Sequence, residues 1–182
     1  QFIEFPHTLY AGNPAWVAPL KSVQRHILNF SRNPFWRHAE GALFLARRNG
    51  QILGTISAQI DHTYNAHWRE HSGSFGFFEC RDDPRVAQLL YAAAAEWLRA
   101  RGMRAMRGPM SPSMGSECGF LTNAFDEPPT FAMAYNPPYY LDLAQTCGCT
   151  PVRELLAYSK PAALPSPTTG VRIAEQCGSD PQ

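Results

Sequence analysis

The chain has 182 residues, 45% of them hydrophobic and 17% charged, enough to bury one ordinary core with a small appendage. Sixteen basic and fifteen acidic residues leave a formal net charge of +1, which supplies no long-range field for nucleic acid or an anionic membrane, and no apolar run approaches a membrane span. Five cysteines, odd in number and scattered, point to reduced thiols and a cytoplasmic setting rather than to a disulfide framework.

The sequence opens QFIEFPHTLY, with neither Met nor a signal-peptide layout, and is expected to continue from a segment upstream. Phe2, Phe5, Leu9 and Tyr10 predict a short helix, and VAPLKSVQRHILN a second with Pro19 near its first turn. Asn33-Pro34 breaks the chain before Phe35 and Trp36. ALFLAR and QILGTISAQI, joined through Arg48-Asn49-Gly50, carry the strongest short hairpin signal in the chain. Positions 61–74 read as a polar loop holding three of the six histidines.

SFGFFEC is predicted as a third strand, ending in the single carboxylate Glu79. Asp83 then stands as N-cap and Pro84 as first residue of a helix. Val86, Leu89, Leu90, Ala93, Ala94, Trp97 and Leu98 recur along one face of it, and Gly102 ends it. MRAMRG is expected to return as a strand, because a strand–helix–strand unit needs a partner. GPMSPSMGSECG reads as a loop, FLTNAF as a short turn of helix and FAMAY as a strand. YYLDLAQTCG follows as a helix and VRELLAYSK as a final strand. PAALPSPTTG is a linker by composition, and VRIAEQ looks like the first strand of something further.

This order predicts an α/β (α+β) domain with a mixed, mostly antiparallel central sheet flanked by helices. The wording narrows it. AWVAPL at 15–20 and the blocks at 75–84, 97–113, 119–129 and 135–148 resemble the Gcn5-related N-acetyltransferase (GNAT) superfamily. Within it they are most similar to an uncharacterised group built of two GNAT-type halves.

The resemblance implies a GNAT-like domain over 1–160 with its first strand upstream, a linker at 161–170 and the start of a second segment at 171–182. It implies direct transfer of an acyl group from acetyl-CoA or another acyl-CoA to a small-molecule amine. Glu79 takes the place of the strand-borne general base, and Tyr140 that of the acid for the leaving thiolate. Backbone at Phe78 and Cys80 would pair with the donor's pantetheine arm, with Arg85 at the next helix N-terminus and Asn136 opening the last helix. Implied partners are a second GNAT-like half or a homodimer, with no membrane and no nucleic acid.

The pattern departs at two places. Asp82 and Asp83 occupy the loop where the superfamily cradles pyrophosphate with glycines, and carboxylates there repel it. Counting back four from Gly148 to the usual tyrosine reaches Ala144, while Tyr135, Tyr139 and Tyr140 lie earlier. Two functions therefore stand side by side: an acyltransferase, or a catalytically degenerate half that serves as a scaffold for a catalytic partner.

Other constellations have a plain account beside the chemical one. Glu79 is also an ordinary strand-end glutamate for Arg81 or Arg107. His62, His67 and His71 read as exposed loop histidines before a metal site, so no metal is expected. Cys147 and Cys149 read as small core residues, and the Ser111, Ser113 and Ser116 loop as the wall of a cleft at the strand ends.

Overall fold

Asn49 and Gly50 adopt φ of 50° and 80°, the left-handed pair that a tight hairpin requires. They join β1 (Ala39–Arg48) to β2 (Gln51–Asp61) in the computed structural model, which describes residues 1–158. β3 (Ser72–Cys80) lies antiparallel to β2, and β4 (Ala105–Arg107) runs parallel to β3. The result is a mixed α+β fold whose four-stranded, mostly antiparallel sheet has the order β1-β2-β3-β4 and is flanked by helices.

α4 (Pro84–Arg99) covers one face of this sheet. Its buried positions are Val86, Ala87, Leu90, Tyr91, Ala94 and Leu98, against Ile56, Ala58 and Ile60 of β2. The stripe is rotated from the expected one. Leu89 is exposed, and Tyr91 takes an inward place between the rings of Phe75 and Phe78, at centroid distances of 4.9 and 5.0 Å. The helix sits so close that a Cβ on Gly73 would lie 2.2 Å from Leu98 Cδ2.

The opposite face of β2 is also buried, but polar: Thr55, Ser57 and Gln59. α1 (Phe5–Leu9) and the 108–112 segment cover it. Gln59 Nε2 donates to Met110 O at 2.7 Å and to Pro112 O at 3.2 Å, and Phe77 N donates to Ser111 Oγ at 3.0 Å. These bonds give the buried amide its partners and hold the segment on the sheet. A Cβ on Gly76 would lie 1.8 Å from Met110 O, so glycine is required there.

β3 and β4 pair only at Ser72–Ser74, after which they part. Beyond that point the free side of β3 meets β5 (Met110–Ser111), which pairs with β6 (Glu117–Cys118), and then α5 (Tyr139–Thr146).

Several expectations are corrected. Positions 61–74 are not a loop: Asp61 accepts from Tyr64 N at 2.9 Å and caps α3 (His62–Trp68), and β3 begins at Ser72. The second helix, α2 (Lys21–Ile27), starts beyond Pro19, since Leu20 is still extended. The loop at 108–119 contains the small β5–β6 hairpin. FLTNAF forms no helix and FAMAY no strand. The side chain of Asn136 bonds both N–H and C=O of Leu121, closing residues 121–136 as one irregular loop. VRELLAYSK was expected as a strand, but 152–158 carry no regular structure; these residues are the described part of a second compact unit. The linker at 161–170 and VRIAEQ lie outside the described residues.

Candidate active site

A break in the alternation of β3 places its carboxylate. Gly73 and Phe75 face α4, and unbroken period-two alternation would turn Glu79 the same way, into the apolar core. Between Ser57↔Gly76 and Thr55↔Glu79, however, β3 spends one residue more than β2. Phe77 takes φ 45° at this bulge. The extra residue reverses the facing, so Phe78 and Cys80 enter the core and Glu79 joins Thr55 on the polar face.

On that face Glu79 borders a cavity of about 110 Å³ whose walls mix apolar side chains, among them Phe2, Trp16, Leu28, Phe77 and Met133, with polar ones, among them Gln24, Thr55, Ser111 and Asn136. Tyr10 donates to Glu79 Oε2 at 2.5 Å and Tyr140 donates to the same oxygen at 2.8 Å. The two hydroxyls lie 3.2 Å apart. Oε1 has no hydrogen-bond partner among the described residues and is not sealed off. One oxygen is thus clamped and the other is left for the cleft. Burial raises the Glu79 carboxyl to about 7, against the lowering effect of the two tyrosines and with a smaller upward push from Glu117. Glu117 borders the same cavity, and burial raises its carboxyl as well. Burial is also the main cause that holds the Tyr10 and Tyr140 hydroxyls protonated, with the Glu79 charge adding to it.

Each residue singled out in the sequence has a definite place. Tyr140 is buried, accepts from Cys80 N at 2.8 Å and belongs to the Glu79 cluster. Phe78 packs on Tyr91 and Tyr140 and lines the cavity with one edge. Cys80 has both backbone groups engaged, because Tyr139 Oη donates to its carbonyl at 2.9 Å. Burial pushes its thiol up to about 12. Asn136 closes the 121–136 loop and borders the cavity. Arg85 stands exposed on the first turn of α4, away from the other five, with no ion pair among the described residues. The alternative partners of Glu79 are excluded for Arg107, which pairs with Glu70 at 2.8 Å.

The N-terminus of α4 is already occupied. Asp83 Oδ1 accepts from Arg85 N at 3.1 Å and Val86 N at 3.2 Å, while its other oxygen pairs with Arg48 at 2.7 Å. A pyrophosphate at this helix end would have to displace that carboxylate, so the residues present do not fit it. The histidines lie apart from the cleft: His62 is near Glu40 at 3.4 Å, and His67 stacks edge-on to Trp68. Among the described residues no group of His, Cys, Asp or Glu is arranged to hold a metal.

Tyr10 is the site residue that sequence reasoning missed. It was visible only as one aromatic of a short N-terminal helix, and nothing in the spacing links it to a carboxylate 69 positions away. The two consecutive tyrosines of YNPPYY carried a signal, but not the division of labour in which one bonds the Cys80 carbonyl and the other its N–H.

The chain is similar to two curated proteins. One is named bacterial ceramide synthase, from Caulobacter vibrioides, and is 40% identical over 159 residues, 87% of this chain and 41% of that protein. The other is named protein YghO, from Escherichia coli, and is 34% identical over 157 residues, 86% of this chain and 40% of that protein. The chain therefore spans about two fifths of the length of these relatives. No family model and no solved structure matches it.

Proposed function

We propose that this chain is a domain of an N-acyltransferase, acting on the amine of a long-chain substrate with Glu79 as general base. The single observation that carries this reading is the Glu79 carboxyl, raised to about 7, clamped through Oε2 by Tyr10 and Tyr140 and unbonded at Oε1 beside a cleft of mixed apolar and polar walls. A base is most effective when its pKa lies near the working pH. The relative named ceramide synthase supports the substrate class, since a ceramide is a fatty amide of a long-chain amino alcohol. The GNAT-like pattern supports the reaction class.

In the proposed reaction the amine nitrogen attacks the carbonyl of an acyl thioester and its proton passes to Glu79 Oε1. The C–N bond forms, the C–S bond breaks, and the proton on Glu79 neutralises the leaving thiolate, which restores the carboxylate. Tyr10 and Tyr140 hold the carboxylate in place throughout. An acyl-CoA is the proposed donor, but no step is assigned to its pyrophosphate, because Asp83 fills the helix end that would receive it.

The occupied α4 N-terminus and the engaged Cys80 backbone favour a second reading, a scaffold half whose catalytic partner lies elsewhere in a longer polypeptide. One experiment separates the two. Transfer from a fatty acyl-CoA to a long-chain amino alcohol is measured for the 182-residue chain and its Glu79→Gln variant. Base catalysis predicts a loss of about 10²-fold or more in kcat with the fold retained. Transfer unchanged by Glu79→Gln, or no transfer with the unaltered chain, overturns the catalytic assignment.

A further inference from the structure

The cleft beside Glu79 is charged on one side only. Glu79 and Glu117 border it, and among the described residues no Lys, Arg or His does. Lys21 pairs with Glu4, on α1's side, and Arg25 approaches the same carboxylate at 4.0 Å. Asp126 and Glu127 stand exposed just before Pro129, which lines the cleft. Glu117 makes no hydrogen bond or ion pair among the described residues, and burial is the one cause that moves its carboxyl. Its direction follows from register. Glu117 lies opposite Ser111 across the β5–β6 ladder, so both side chains leave the hairpin on the same face. Ser111 Oγ accepts from Phe77 N at 3.0 Å, which turns that face to the bulge of β3, two residues before Glu79. Glu117 remains open to solvent there, at the rim, while its charge reaches Glu79 inside.

Two carboxylates on one small cleft, with no cation between them, focus a negative potential that favours a positively charged ligand. A hard metal ion takes about six or more oxygen ligands. Among the described residues no group of three His, Cys, Asp or Glu is arranged to supply them. An organic ammonium asks for less. A primary ammonium has three N–H donors, and Glu79 Oε1 and the Glu117 carboxylate are acceptors without partners. The rings of Trp16, Phe77 and Tyr135 also line the cleft, and aromatic faces attract organic cations.

We propose that Glu117 is the specificity residue of this cleft: its carboxylate anchors the primary ammonium of the ligand at the rim, beside Glu79 Oε1. The cleft then selects an alkylammonium over the alcohol or carboxylate of the same length. That the ammonium belongs to the acceptor of an acyl transfer rests on the acyltransferase reading. Its nitrogen attacks as the free amine, so the bound ammonium first releases one proton to solvent at the open rim, and the second proton is the one assigned to Glu79. Binding is measured without turnover, so failure of either idea leaves the other standing.

The test is calorimetric titration of hexylammonium, 1-hexanol and hexanoate into the 182-residue chain at about pH 8, where both carboxylates are charged and the amine is protonated. Hexylammonium is expected to bind at least about tenfold more tightly than hexanol, and hexanoate most weakly. Glu117→Gln is expected to weaken hexylammonium about tenfold and to leave hexanol unchanged. Glu96→Gln removes the same charge from an exposed position on α4 and is expected to change neither. Circular dichroism checks that each variant is folded, and the comparison of the three ligands on the unaltered chain needs no variant. Equal binding of hexylammonium and hexanol, no binding of hexylammonium, ammonium binding unchanged in Glu117→Gln, or an equal loss in Glu96→Gln overturns the proposal. In the transfer assay Glu117→Gln is expected to raise KM for the amino alcohol about tenfold and to lower kcat much less, the reverse of Glu79→Gln. Transfer with KM unchanged in Glu117→Gln sinks the anchor alone; ammonium binding through Glu117 without transfer sinks the catalytic reading alone.

Discussion

Glu79 titrates near neutrality because burial outweighs the two tyrosine hydrogen bonds that favour its charged form. A base works only when deprotonated, so kcat/KM is expected to rise with pH through an inflection near 7. Tyr10→Phe removes one of the bonds that hold the carboxyl down. The inflection should then move upward by about one pH unit, which a pH–rate profile reads directly. An inflection that moved downward would contradict this arrangement. Stability carries the opposite mark of the same group. The Glu79 carboxyl has its ordinary value of 4.5 when unfolded and about 7 when folded, so the folded chain binds more protons between these values. Its charge costs nothing below about pH 4.5, an increasing amount up to pH 7, and a constant amount above that. Glu79→Gln is therefore expected to raise the melting temperature at pH 8, by the equivalent of about 1–3 kcal/mol, and to change it little at pH 4. Thermal melts at the two pH values check it.

At the scale of elements, Asp83 decides what the N-terminus of α4 can hold. The sequence marks it as the cap of the helix, and it does cap it, through Arg85 N and Val86 N. Arg48 is the main cause that holds this carboxyl below its usual range. Asp83→Ala is expected to cost about 1–2 kcal/mol in urea unfolding, nearly all of it from the lost cap, because the exposed pair with Arg48 contributes little. Asp83→Asn should retain most of that stability. β3 gives the contrasting case. Its existence is plain in SFGFFEC, but its bulge is not: Phe77 occupies the positive-φ position with no glycine to announce it. The surroundings supply the reason, since Thr55 Oγ1 donates to Phe77 O and Phe77 N donates to Ser111 Oγ.

For the whole molecule, β2 is the centre. It is paired on both sides, packed on both faces, and buried from Gly54 to Ile60. Its amides are expected to exchange hydrogen most slowly, while residues 121–136, irregular and largely exposed, exchange much faster. Hydrogen-exchange mass spectrometry reads the difference, and faster exchange in β2 than in that loop would contradict the packing described. No helix among the described residues is long and apolar enough to cross a membrane.

The hairpin, the capped α4 and the final helix were legible because each is written in local chemistry: Asn-Gly, Asp-Pro with a 3.6-residue repeat, YYLDLAQT; β4 was expected only because a strand–helix–strand unit needs a partner. Local chemistry also put Glu79 at a strand exit. It misled at FAMAY and at residues 152–158, where strand-like composition has no paired neighbour strand among the described residues. Only the tertiary structure decided which way Glu79 faces, because one extra residue at Phe77 reverses every side chain after it. Only the tertiary structure brought Tyr10 and Tyr140 onto the same oxygen. Their partnership with Glu79 is a contact between three distant segments, and such a contact leaves no periodicity to read.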